Sequence, residues 1–68
     1  MGENYVIVVN GSPVEASDDL KTAQVRGQER LSKGAEATIE EYPSNSIMPW
    51  AVWRYDPDGS SWRRKELR

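Results

Sequence analysis

The chain contains no cysteine and no histidine. The first absence excludes disulfides, and the two together exclude a Cys/His zinc centre. They also remove the common partners of nucleophilic catalysis, which needs an activated side chain and a base to activate it. Long apolar runs are missing as well. Tyr5-Val-Ile-Val-Val9 falls far short of the roughly 18 residues of a membrane span. It is also too short for a signal-peptide core, and no basic residue precedes it. The expectation is a soluble, cytoplasmic protein with no membrane partner. A cysteine-free chain is consistent with a reducing compartment.

With 68 residues the chain is read as a single α+β domain spanning 1–68. At this size burial only slightly exceeds the entropy cost of folding, so a net stability of only a few kcal/mol is expected. Without disulfide or zinc staples, dense aromatic packing or self-association must supply what a small aliphatic core does not. The net charge is −2, unevenly spread. Residues 1–49 carry four basic and eight acidic side chains, and residues 50–68 carry five basic and three acidic. This mild polarity suits a protein partner of mixed charge better than a long phosphate backbone.

Tyr5–Val9 is nearly continuously apolar and β-branched, the pattern of a strand with both faces partly covered. Asn10-Gly11 is a turn signal, and a short hairpin to Pro13–Ala16 can follow it. Ser17 reads as a helix N-cap with Asp18 and Asp19 in the first turn. Leu20, Ala23, Gly27 and Leu31 form a narrow apolar stripe, and Lys33-Gly34 ends the pattern, which predicts a helix over 18–33. Gly27 on that stripe points to close contact between helix and sheet. Val25 falls on the outer surface.

Residues 36–42 alternate as a half-buried strand with Ala37 and Ile39 inward. Residues 43–49 form a loop whose Ile47 and Met48 either fold back on the core or present an apolar tip. The expected architecture is α+β in the order β-α-β-β-β. A mostly antiparallel sheet of three or four strands carries one helix on one face. Its other face is then open unless a partner or a second copy covers it.

The last third holds all three tryptophans. Asp56-Pro57-Asp58-Gly59 is a strong turn signal between aromatic and β-branched runs, hence a hairpin. Two registers compete. A three-residue loop with Gly59 in the left-handed position pairs Asp56 with Ser60; Trp50, Val52 and Trp62 then face inward, and Trp53, Tyr55, Arg63 and Lys65 outward. A four-residue loop pairs Tyr55 with Ser60 and sets Trp53 opposite Trp62, joined by Ala51 and Tyr55. One residue of slip moves Trp62 to the other face. The glycine favours the first register, and Lys65 to Arg68 are expected to fray.

No chemical motif appears. Glu40 and Glu41 are adjacent on a strand and point to opposite faces, and Asp56 and Asp58 are explained by the turn. The spacing and terminal glutamate of a calcium loop are missing, as is a phosphate-cradling glycine loop. No catalytic residue, metal or cofactor is therefore expected.

Aromatic and arginine side chains side by side are enriched in interface hot spots. Trp53, Arg54, Tyr55, Arg63, Arg64 and Lys65 are thus the candidate partner-binding residues, with a protein as the partner. The alternative is single-stranded nucleic acid, with stacked bases and tracked phosphates; a third option is a homodimer through the open face or a strand edge. In size and general character the chain resembles short bacteriophage-encoded accessory proteins such as anti-CRISPR proteins. That resemblance involves no motif residues and transfers no site; it implies a stoichiometric inhibitor of a bacterial host or defence protein.

Overall fold

A computed structural model describes residues 4–44 and 46–67. Its elements are β1 (Tyr5–Val9), β2 (Ser12–Ser17), α1 (Leu20–Ser32), β3 (Ala37–Glu41), β4 (Ala51–Asp56) and β5 (Ser61–Glu66). The strands form one five-stranded antiparallel sheet in the order β2-β1-β3-β4-β5. The α+β class with one helix is as expected, but the sheet has five strands rather than three or four. The extra strand is β2, so β1 is an interior strand paired on both sides.

The β1–β2 hairpin turns on Asn10 and Gly11, with φ of 51° and 86°. Two positive-φ residues between paired Val9 and Ser12 make a type I′ turn, whose twist matches that of the flanking strands. Ser-Pro-Val-Glu-Ala-Ser has little intrinsic strand preference, which is why the sequence pattern left this strand weak. A bulge follows the turn, since Ile7 pairs with Glu15 but Val8 with Pro13. Glu15 is fastened to the helix by ion pairs with Arg26 and Arg30.

The helix begins two residues later than the charge pattern indicated. Its N-cap is Asp19 rather than Ser17: the Asp19 carboxylate accepts from the backbone N–H of Thr22 at 2.9 Å and from its hydroxyl at 2.7 Å. Ser17 instead accepts from the Asp19 N–H at 3.1 Å, so its side chain shapes the approach to the helix. At the other end Gly34 donates to the Leu31 carbonyl and Ala35 to that of Arg30, the paired bonds of a Schellman motif.

Successive strand residues alternate faces and directly opposed residues share one. Tyr5, Ile7 and Val9 of β1 and Ala37 and Ile39 of β3 therefore lie under the helix, where Ala23 and Gly27 are buried. The buried apolar set is small: Ile7, Ala23, Ala37, Ile39 and Ala51. Two isoleucines and three alanines cannot close a core. Tyr5, Val9, Trp53 and Trp62 complete it as partly buried side chains packed against Ile7, Ala23 and Ile39.

That deficit decides the hairpin. Asp56 pairs with Ser61, Tyr55 with Trp62, Arg54 with Arg63 and Trp53 with Arg64, around a four-residue loop 57–60. This is neither expected register. The bulged one is contradicted: Ser60, not Gly59, takes the positive φ, at 50°. The competing register named the right face for Trp62, together with Ala51, Trp53 and Tyr55, but the wrong cross-strand partners. Asp56 holds the loop by accepting from the Asp58 N–H at 3.1 Å and from Arg63 Nε at 2.8 Å. Residues 61–66 are fully paired, so Lys65 and Glu66 do not fray.

The reward for this register is long-range. A Cβ added at Gly27 would meet Cη2 of Trp62 at 2.9 Å and Cζ2 at 3.1 Å. The glycine is there because the indole lies against the helix backbone. Trp62 also meets Tyr55 edge-on, with ring centroids 5.6 Å apart and planes at 64°, a favoured aromatic geometry. Gly27→Ala should therefore lose stability although alanine is the better helix former by about 1 kcal/mol. Overpacking costs about 1–3 kcal/mol, for a net loss of about 1 kcal/mol readable by urea denaturation. A stabilised variant would show that the indole is not wedged there.

Candidate functional site

Register divides the six candidate residues into two groups. Trp53 and Tyr55 lie on the helix-facing side with Trp62, not on the outer surface: Trp53 packs on the undersized core and Tyr55 on Trp62. Arg64 shares that side as the direct partner of Trp53. Arg54, Arg63 and Lys65 lie on the opposite, uncovered face, with Val52 beside Lys65. Trp50, expected inward with Val52 and Trp62, is instead 44% exposed.

On the helix-facing side the organising residue is Glu41, which the sequence pattern set aside. One carboxylate oxygen accepts from Trp53 Nε1 at 2.8 Å and from Arg64 Nε at 3.2 Å. The other accepts from Trp50 Nε1 at 2.7 Å and from Arg64 Nη2 at 3.1 Å. Two indoles and the guanidinium of Arg64 thus converge on a carboxylate whose side chain is only 12% exposed. A signal for it was present. Glu41 continues the inward series Ala37, Ile39, and a carboxylate entering an apolar layer needs donors carried on large side chains. Arg64 also meets Glu66 at 3.6 Å.

Burial alone would raise the Glu41 carboxyl, but the hydrogen bonds from Arg64, Trp53 and Trp50 outweigh it and hold it below its ordinary value of 4.5. A lowered folded-state value means the charged form is the stabilising one. Its contribution is complete above about pH 4.5 and is lost as the pH falls through the lowered value. Glu15, Asp19 and Asp56 are lowered in the same direction, by hydrogen bonds first from Arg26, Thr22 and Arg63 respectively. Stability should therefore decline on acidification below about pH 4.5, and less steeply in Glu41→Gln than in the wild type. Urea midpoints across pH measure this; identical slopes in the two proteins contradict it.

The uncovered face is built in rows across the strands. One runs Ala16, Val6, Glu40, Val52, Lys65 and the next Pro13, Val8, Thr38, Arg54, Arg63. Val6, Val8, Thr38 and Val52 are half-buried by their neighbours, and Arg54, Arg63 and Lys65 are exposed. Glu40 accepts from the Tyr42 hydroxyl at 2.8 Å, and Asp56 holds Arg63. Glu40 and Glu41 do point to opposite faces and form no carboxylate pair. Away from both faces, Ile47 is 95% exposed and Met48 59%, so the loop before β4 presents an apolar tip rather than folding back. Ser46 holds that tip by accepting from the Met48 N–H at 3.1 Å.

Fold and surface together define a small one-helix α+β domain whose sheet is covered on one side. Among the described residues no helix is long and apolar enough to cross a membrane. Compared with family models, curated proteins and solved structures, the chain has no match.

Proposed function

We propose that the protein is a non-enzymatic interaction module. It binds a protein partner through the uncovered face of its sheet and acts stoichiometrically, in the manner of a phage-encoded inhibitor of a bacterial protein. The observation that carries this reading is the one-sided cover. The helix lies over β1, β2 and β3 on one side, while the other presents Val6 and Val52 on either side of Glu40, and Val8 beside Thr38, with exposed cations along β4 and β5. An uncovered sheet face that mixes aliphatic and charged side chains has the composition of a non-obligate interface.

Edge-to-edge dimerisation is less favoured. Pro13 interrupts donation along β2, and β5 carries Arg63, Arg64 and Lys65, the devices that keep strand edges from pairing. Single-stranded nucleic acid loses its main support too, because Trp53, Tyr55 and Trp62 pack on the helix side and are not offered to bases.

The test is affinity capture from bacterial lysate with the wild type and with Thr38→Lys. The substitution raises a long side chain from the middle of the uncovered face without touching the core. A protein retained at about one-to-one by the wild type and lost by an equally stable variant supports the reading. No retained protein, or equal retention by both, contradicts it.

A further inference from the structure

The patch formed by Val52, Arg54, Arg63 and Lys65 carries two cations, Arg54 and Lys65, that the fold does not pair, while Glu40 beside Val52 is bonded to the Tyr42 hydroxyl. Arg54 stands directly opposite Arg63 on adjacent antiparallel strands. Like charges in that position destabilise a sheet, whereas opposite charges stabilise it. Every other described arginine has a carboxylate: Arg26 and Arg30 share Glu15, Arg63 has Asp56, and Arg64 has Glu41 and Glu66. Arg54 and Lys65 have none within ion-pair distance among the described residues. Glu36 lines a cleft of about 310 Å³ with Arg54, Thr38 and Tyr55 but does not pair with Arg54.

We infer that this patch is a docking site for the carboxylates of an acidic protein segment that also carries aliphatic side chains. The inference rests on the interaction-module reading and names the chemistry of the partner. Charge complementarity sets the choice of occupant. Arg54 offers a planar fork suited to bidentate carboxylate binding, and Arg63 remains 72% exposed beside it although bonded to Asp56. Lys65 adds a point charge next to Val52, and the valines of β1 and β4 receive the aliphatic side chains. A phosphate backbone is the weaker match, since Trp53, Tyr55 and Trp62, which could stack bases, lie on the helix side.

The experiment titrates a blocked decapeptide of alternating Glu and Val into the isotope-labelled protein and follows backbone amide shifts. A Lys/Val peptide and a single-stranded oligothymidylate are titrated in parallel. Saturable shifts at Val52, Arg54, Arg63 and Lys65 with the acidic peptide alone are expected. They should weaken at least about fivefold in Arg54→Glu, the order expected when one charged contact of an interface is reversed. Arg54→Glu also converts the like-charge pair into an opposite-charge pair, so its melting temperature should equal or exceed that of the wild type. A structural role for Arg54 predicts the reverse. Shifts confined to other residues, undiminished binding by Arg54→Glu, no shifts at all, or tighter binding of the oligonucleotide on these residues each overturn the proposal. Capture of a partner that Thr38→Lys loses and Arg54→Glu keeps leaves the interaction module standing and removes only the acidic-segment assignment.

Discussion

Trp53→Ala should leave the domain largely unfolded at 25 °C. Trp53 packs against the cluster of Ile7, Ala23 and Ile39 and donates its indole N–H to Glu41 at 2.8 Å. Truncating a packed tryptophan costs about 3–5 kcal/mol through lost burial and the cavity left behind. A domain of this size holds only a few kcal/mol in reserve, and a core of two isoleucines and three alanines cannot close over the gap. Circular dichroism during urea titration reads the effect. Arg54→Ala, on the opposite face, is the control and should shift stability by less than about 0.5 kcal/mol. If Trp53→Ala keeps a wild-type midpoint, the indole is an outer residue and the inward register is wrong.

Removal of the Glu41 carboxylate is the second large effect. Glu41→Ala deletes the acceptor of two indole N–H groups and two guanidinium N–H groups at once. Trp50 and the exposed part of Arg64 can turn to water, but the N–H of Trp53 is part-buried. Hydrogen bonds to charged groups are worth about 1.5–3 kcal/mol, and stranding a half-buried partner adds to that, so a loss of about 2–4 kcal/mol is expected. Glu41→Gln keeps one acceptor oxygen and should lose about half as much. Equilibrium unfolding checks both, and a loss below about 0.5 kcal/mol for Glu41→Ala would mean that the four bonds are replaced by water at no cost.

These two residues show what a sequence can and cannot carry. Local patterns were legible. The apolar β-branched run of β1, the alternation of Ala37 and Ile39, the stripe of Ala23 and Gly27 and the Asn10-Gly11 turn each place their residues correctly. Val25 is exposed as its helical position required. Features that depend on distant partners were not legible. The β4–β5 register is set by Trp62 fitting against Gly27, 35 positions earlier, and by the Asp56 side chain extending the strands by one pair. Glycine preference at the turn pointed the other way and was overridden, with Ser60 taking the left-handed conformation. Strand β2 was legible only as a possible short hairpin for a related reason, because its support comes from the turn before it and from the ion pairs of its Glu15 with Arg26 and Arg30 of the helix.

The same register separates the candidate binding residues physically. On the helix side Trp53 packs on the core, Tyr55 meets Trp62, and Arg64 is bonded to Glu41. Arg54, Arg63 and Lys65 remain on a face that no described element covers. An interaction module read from aromatic and basic residues together thus becomes one read from the basic and aliphatic residues alone.

Nuclear Overhauser contacts of the Trp62 ring test this division most directly. Cross-peaks from the Trp62 Hη2 and Hζ2 protons to the Gly27 α-protons are expected, with further contacts to Tyr55. Contacts from the same ring protons to Val52 or Arg54, with none to the helix, would place Trp62 on the uncovered face and contradict that division.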